Sequence, residues 1–367
     1  MKKAFFNGRI FSGDTFLNKK AVLTKNGIIQ DIVNETDIPP GYEMHDLFGN
    51  IMAPAFIDLQ IYGGTGHLFT LNPSVESLKG IYNYCQSGGT HLFQATVATN
   101  SLEVMLKAIE AAKEYRALGL PGLLGIHLEG PYINPKKKGA HLEHFIRQPT
   151  VEEINLILKH GEGIVTMITL APEMCDENIL KLLQESGIKI SIGHSNATYK
   201  EAIKFFENGI KTATHLFNAM SPFQSREPGL VGAIFDNTKV YSSIVADGIH
   251  VDFSAVRISK KILKNRLFLI TDAVETNEIG DYVYIRKNDR YVTQDGTLAG
   301  STLTMMSAVR NCIEHIGINL KESLRMASTY PALVMSLDKE IGKIQNGYQS
   351  KMVIFNDQFI IKEIISE

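Results

Sequence analysis

Eight stretches of the chain read as apolar, strand-like runs. They are FIDLQIYGG from Phe56, THLFQATVAT from Thr90, LLGIHLEG from Leu123, IVTMITLAP from Ile164, IKISIGHS from Ile188, TATHLFNAM from Thr212, VYSSIVADG from Val240 and LFLITDAV from Leu267. Short apolar runs of this length, bounded by turn residues, are consistent with the buried strands of a parallel sheet. Most of the intervening segments read as helices with recognisable ends. Ser101 caps LEVMLKAIEAAKEYRALG, Thr198 with Glu201 forms a capping box, Gly209 follows as a stop, and Asp252 opens the helix after the seventh run. Eight strands alternating with crossovers predict parallel connections and a (β/α)8 barrel of the α/β class. A doubly wound open sheet competes, but the GxGxxG turn expected after its first strand is missing.

The two ends of the chain have another texture. AFFNGRIFSG, KAVLTKNGIIQDIV and GYEMHDLFGNIM at the start, and IGKIQNGYQSKMVIFNDQFIIKEI at the end, are β-branched or aromatic runs broken by Asn-Gly and Gly. The expectation is one small β-sandwich domain built from residues 1–52 and 343–367, around a catalytic barrel of residues 53–342. YVYIRKNDRYVTQDGTLAG, with turn signals at Asn288-Asp289 and Asp295-Gly296, predicts a β-hairpin insertion at about 281–298.

Composition narrows the class without naming it. At 367 residues, 44% hydrophobic and 21% charged, the chain is ordinary for a globular protein. A net charge of −2 argues against nucleic-acid binding. Cys85, Cys175 and Cys312 form no CxxC or disulfide framework, which suits a reducing cytoplasm. The opening MKKAFFNGRIFSGD lacks a signal-peptide core, and no stretch approaches the roughly 20 apolar residues of a membrane span. The expectation is a cytoplasmic protein with no membrane partner.

In a barrel, chemistry belongs at the C-terminal ends of the strands. There the runs end in His127-Leu128-Glu129, Gly193-His194-Ser195, Thr214-His215, Asp247-Gly248 with His250 beyond, and Thr271-Asp272. Glu129, His194 and His215 make a carboxylate–imidazole–imidazole set of the kind that holds a hydrolytic metal with a fourth position open. No local ligand motif such as HExxH supports it, and a single strand-end histidine is more often structural than a ligand. His127 lies two residues from Glu129 and reads as packing or as support for the site. Asp272 alone would pass for a turn cap. Five polar strand ends in one layer shift the balance toward a site.

At these positions the chain resembles the N-acetylglucosamine-6-phosphate deacetylase family of the amidohydrolase superfamily. The resemblance is carried by HLEGPYIN (127–134), GHS (193–195), THLFNAM (214–220), REPGL (226–230), DGIH (247–250), ITDA (270–273) and LAGSTLTM (298–305). It implies Glu129, His194 and His215 as metal ligands. Asp272 is implied as the carboxylate that takes a proton from the attacking water and returns one to the departing amine. His141 is implied as the imidazole that polarises the acetamide carbonyl. The resemblance further implies that Asn218, Ala219 and His250 contact the sugar phosphate, and that Leu303, Thr304 and Met305 centre a loop over the sugar. Arg226 is implied to reach the phosphate from the neighbouring subunit of a homodimer.

One departure concerns the first run, where many amidohydrolases carry His-x-His for a second metal. Gln60 and Tyr62 stand there, and the fourth run contains no lysine. The expectation is therefore one divalent ion per chain, zinc first, with iron, cobalt or manganese accepted by the same donors. Gln60 is expected beside the attacking water or its neighbours; Tyr62 either contacts substrate or packs. Pro54-Ala55 and Ser350-Lys351-Met352-Val353 also differ from the family's usual wording, outside the proposed site. The nearest rival is a different amidohydrolase, such as a cyclic-amide hydrolase or a deaminase, which Gln60 and Tyr62 disfavour. The others are a deacetylase of another N-acetylhexosamine 6-phosphate, such as the galacto epimer, and a barrel that only binds sugar phosphates or serves as an assembly subunit.

Overall fold

The computed structural model describes residues 1–366. Each apolar run becomes a strand, and their order in one eight-stranded sheet is their order in the sequence. We number them β1 (Phe56–Ile61), β2 (Thr90–Ala98), β3 (Leu123–Glu129), β4 (Val165–Leu170), β5 (Lys189–Ile192), β6 (Thr212–Ala213), β7 (Tyr241–Ile244) and β8 (Leu267–Leu269). From β2 to β8 every resolved ladder is parallel. The sheet closes just past β8, where Ile61 bridges Ala273 in parallel and the Asp272 amide donates to the Gln60 carbonyl at 3.0 Å. This is the (β/α)8 barrel expected of the alternation, and closure leaves the main sheet without an open edge.

Inside the barrel the apolar filling gives way to a polar layer below the mouth. Thr169 of β4, Ser191 of β5 and Thr214 after β6 are buried, and their hydroxyls bond at 2.7 and 2.6 Å. His127 joins that layer: Nδ1 faces the Leu59 carbonyl at 3.0 Å and Nε2 faces the Thr169 hydroxyl at 2.7 Å. Burial pushes its pKa down to about 3, so it is a neutral cross-link between β1 and β4. Gly193, which precedes His194, permits this tight layer, because a Cβ there would lie 2.6 Å from the Thr169 methyl.

The helix ends follow the local chemistry. Ser101 accepts from the Val104 amide, Asp252 accepts from the Ser254 amide, and Thr198 with Glu201 makes both bonds of a capping box.

The chain divides into two compact units: residues 1–58, 85–92 and 304–367 in one, and 59–84 with 93–303 in the other. In the first unit the C-terminal strand Met352–Phe355 pairs antiparallel with Ile51–Pro54, so the two chain ends share a five-stranded sheet. A four-stranded sheet faces it, and Phe5, Val22 and Ile29 of one interleave with Ile10, Met52 and Ile354 of the other. That is a β-sandwich. In the second unit, Ile285–Lys287 and Arg290–Val292 form a hairpin turned at Asn288 (φ 56°), and Leu298–Ser301 adds a third strand. Asparagine tolerates this left-handed conformation better than most residues. Among the described residues no helix is long and apolar enough to cross a membrane.

Candidate metal centre and catalytic site

Three of the residues singled out at strand ends share a backbone peculiarity. His194, His215 and Asp272 have φ of 48°, 38° and 54°, a region that non-glycine residues enter at a cost and that clusters at functional sites. Each lies just beyond its strand, and the turn aims its side chain inward over the barrel mouth. Glu129 ends β3 and is buried.

The side chains meet at one point. Glu129 Oε1 stands 3.0 Å from His215 Nε2 and 3.4 Å from His194 Nε2, and the two imidazole nitrogens are 3.1 Å apart. Zinc ligands at about 2.0–2.2 Å in tetrahedral array stand roughly 3.3–3.6 Å from one another. The three spacings fall close to that range. The tautomer of His194 adds to the fit: its Nδ1 faces the Lys137 carbonyl at 2.8 Å, an acceptor only, so Nδ1 carries the proton. Burial holds this imidazole neutral, with its pKa near 4, and its Nε2 lone pair points at Glu129 and His215. Gly139 (φ 57°) makes room for the ring, since a Cβ there would meet His194 Cε1 at 3.3 Å.

His141 is the fourth member of the cluster, with Nε2 3.1 Å from Glu129 Oε2. Glu129, His141 and His194 form a buried group that could hold a metal ion, their ligand atoms all within 4.8 Å of one another. The hydrogen bonds separate His141 from His194. The Thr99 amide donates to His141 Nδ1 at 3.3 Å, which leaves the proton on Nε2 and makes that atom a donor. His194 therefore offers a lone pair to the centre, and His141 offers a hydrogen. Tyr282 of the hairpin segment donates to the Thr99 carbonyl at 2.6 Å and so steadies the residue that orients His141.

The electrostatics suit a cation. Burial alone would push the Glu129 carboxyl up, but the three histidines around it hold it well below the usual carboxylate range. Burial pushes the His215 imidazole down; the Glu129 hydrogen bond and charge, with Asp272 behind them, bring it above its ordinary value. A positive charge is thus favoured between His215 and the two carboxylates. Asp272 is raised, chiefly by burial and further by Glu129.

A cavity of about 150 Å³ opens on this cluster, lined among others by Tyr62, Asn218, Ala219, His250, Tyr284 and Ala299. Asn218 and Ala219 follow His215 on the THLFNAM turn, and the buried Asn218 Nδ2 has no protein partner. His250 is held by Asp247, whose Oδ2 accepts from Nδ1 at 2.6 Å while Oδ1 accepts two backbone amides. The other nitrogen, Nε2, lies 4.0 Å from Asp272 Oδ2. The LAGSTLTM stretch lines the cavity through Leu298 and Ala299. Leu303 is buried, and Thr304 caps the helix that begins at Met305. Arg226 is exposed, in a loop with the exposed Phe223.

Sequence reasoning did not find Thr99, the Lys137 carbonyl, or the hairpin tyrosines. None has a motif; Tyr282 and Tyr284 lie within the predicted insertion, which singled out no residue for the site. Tyr62, left between two roles, has its hydroxyl bonded to Glu129 Oε2.

A closed α/β barrel with a buried Glu–His cluster at its C-terminal mouth defines a metal-dependent hydrolase of known type, and the chain belongs to the amidohydrolase family, whose profile matches residues 51–366. Residues 4–52 match the NagA composite domain. More narrowly, the chain is 34% identical to the N-acetylglucosamine-6-phosphate deacetylase of Haemophilus influenzae, over 98% of this chain and 96% of that one. It is 36% identical to an N-acetylgalactosamine-6-phosphate deacetylase of Shewanella sp., over 85% of this chain and 80% of that one. The crystal structure of the N-acetylglucosamine-6-phosphate deacetylase of Pasteurella multocida superposes with a TM-score of 0.96 at 33% identity, covering 100% of this chain and 98% of that one.

Proposed function

We propose that the chain hydrolyses the acetamide of N-acetyl-D-glucosamine 6-phosphate, giving D-glucosamine 6-phosphate and acetate. The observation that carries this reading is the convergence of Glu129, His194, His215, His141 and Asp272 on one cavity, in a chain whose full-length relatives have that activity.

Glu129 Oε1, His194 Nε2 and His215 Nε2 are the atoms that would hold one divalent ion, zinc being the first candidate. When bound, such an ion supplies nucleophilic water at neutral pH and polarises the amide carbonyl. The remaining work falls to the chain. His141 donates through Nε2 to the acetamide oxygen, an assignment supported by the tautomer that Thr99 imposes. Asp272 takes the proton of the attacking water and passes it to the amine nitrogen, which must be protonated to leave. Its raised pKa suits a group that holds a proton between those two events. Asn218, Ala219 and His250 border the sugar; the unpartnered Asn218 Nδ2 is a donor for a sugar hydroxyl or phosphate. Arg226 is read as a phosphate ligand delivered across a homodimer, its exposure in a loop with Phe223 being consistent with contact to a second copy. The reading places the enzyme in the cytoplasm.

The galacto epimer is a second reading, favoured by the Shewanella relative at 36% identity. Acetate release from the gluco and galacto 6-phosphates and from unphosphorylated N-acetylglucosamine decides between them. The main reading expects the gluco 6-phosphate to have the highest kcat/KM. A faster galacto 6-phosphate replaces it with the second, and no release from either phosphate rejects both.

A further inference from the structure

β1 ends in two neutral side chains in anionic company. Gln60 and Tyr62 are two residues apart, so they face the same side, and both are buried. Gln60 Nε2 stands 3.0 Å from Glu129 Oε1, 2.9 Å from Asp272 Oδ1 and 3.0 Å from the Tyr62 hydroxyl oxygen. The Tyr62 hydroxyl donates to Glu129 Oε2. A primary amide has two hydrogens, and carboxylates are the stronger acceptors, so one goes to each anion. A single neutral group therefore links Glu129 to Asp272. Two buried carboxylates this close need a donor, a proton or a cation between them.

We propose that Gln60 and Tyr62 are positioning residues that do, as neutral donors, what a second cation would do between Glu129 and Asp272. They fill the place a second ion would need without offering it an anionic ligand, and they fix which carboxylate oxygen does which job. With Tyr62 on Oε2, Glu129 presents Oε1 to the two ligand histidines. With Gln60 on Oδ1, Asp272 keeps Oδ2 as the oxygen that carries the proton. The inference rests on the metal and deacetylase reading above, and it explains how a strand without the His-x-His pair still serves such a site.

Three variants test it. Gln60→Met removes both N–H groups at similar length, Gln60→Glu adds a negative charge at nearly constant shape, and Tyr62→Phe removes only the hydroxyl. Metal-free protein is titrated with zinc, the bound metal is counted per chain, and kcat and KM for acetate release are measured beside it. Wild type, Gln60→Met and Tyr62→Phe are expected to take one ion, and Gln60→Glu two. The loss of a hydrogen bond to a buried charge predicts a kcat lower by about tenfold or more in Gln60→Met and Tyr62→Phe. Their KM stays within about twofold, because the lost contacts do not touch the sugar. Wild-type kcat in both variants, or one ion in Gln60→Glu, overturns the proposal. Tyr62→Phe keeps the ring and its packing with Leu68 and Ala98, so it remains informative where a Gln60 variant fails to fold. A wild-type protein that binds one ion but releases no acetate defeats the deacetylase reading, and the metal counts still judge the clamp.

Discussion

Asp272→Asn separates chemistry from structure more cleanly than any other single change in the site. The substitution keeps the side-chain shape, and asparagine accepts the left-handed backbone found there (φ 54°). The amide oxygen still accepts from Gln60 Nε2, now 2.9 Å from the carboxylate it replaces. In the proposed mechanism, what disappears is the proton acceptor and the donor it becomes. General acid–base groups contribute typically 10²–10⁴-fold, so the barrier rises by about 3–5 kcal/mol. Burial already disfavours the Asp272 charge, which its raised pKa records, so the neutral variant melts at the wild-type temperature or above. Zinc stoichiometry is expected to be unchanged. The assay is steady-state acetate release with metal-replete protein, and KM is expected within about threefold of wild type because no sugar contact is lost. A kcat close to wild type, in a variant shown to be fully substituted, refutes the acid–base role.

Other predictions follow from single residues. Arg226→Ala is expected to raise KM for the phosphorylated substrate by about tenfold or more, as for a lost charge-assisted contact; light scattering on the wild type should show a dimer, and an unchanged KM or a monomer removes the cross-subunit role. His127 should make the fold acid-sensitive. Its pKa falls from 6.5 in the unfolded chain to about 3 in the fold, so the unfolded state binds more protons between those values. Stability is complete above the unfolded value and is lost as pH falls toward the folded one, by at most about 5 kcal/mol. Urea denaturation of wild type and His127→Gln at pH 7 and pH 4.5 should show a smaller acid loss in the variant; equal losses contradict the assignment.

Much of this architecture was legible because barrel strands buried on both faces leave continuous apolar runs, and because caps such as Thr198 with Glu201 are local chemistry. The polar strand ends were legible for the same reason: Glu129, His194, His215 and Asp272 interrupt those runs at one level. Other features depend on closure, which no local pattern encodes. Gln60 reaches Asp272 only because β1 meets the end of β8 across 212 residues of sequence. The Lys137 carbonyl that sets the His194 tautomer is a backbone atom, silent in any motif. The loop stretch around Leu303–Met305 shows a different limit, since its upstream end, Leu298 and Ala299, lines the cavity. A motif marks a segment, and strand geometry decides which of its residues face the site.

The central claim is that one divalent ion held by Glu129, His194 and His215 is required for amide hydrolysis. Its most direct test is acetate release from N-acetylglucosamine 6-phosphate by metal-free protein as zinc is added in measured equivalents. Activity is predicted to start near zero, rise linearly and break at one ion per chain, as one buried three-ligand set requires. Full activity without metal, or a break at two ions per chain, would contradict the account.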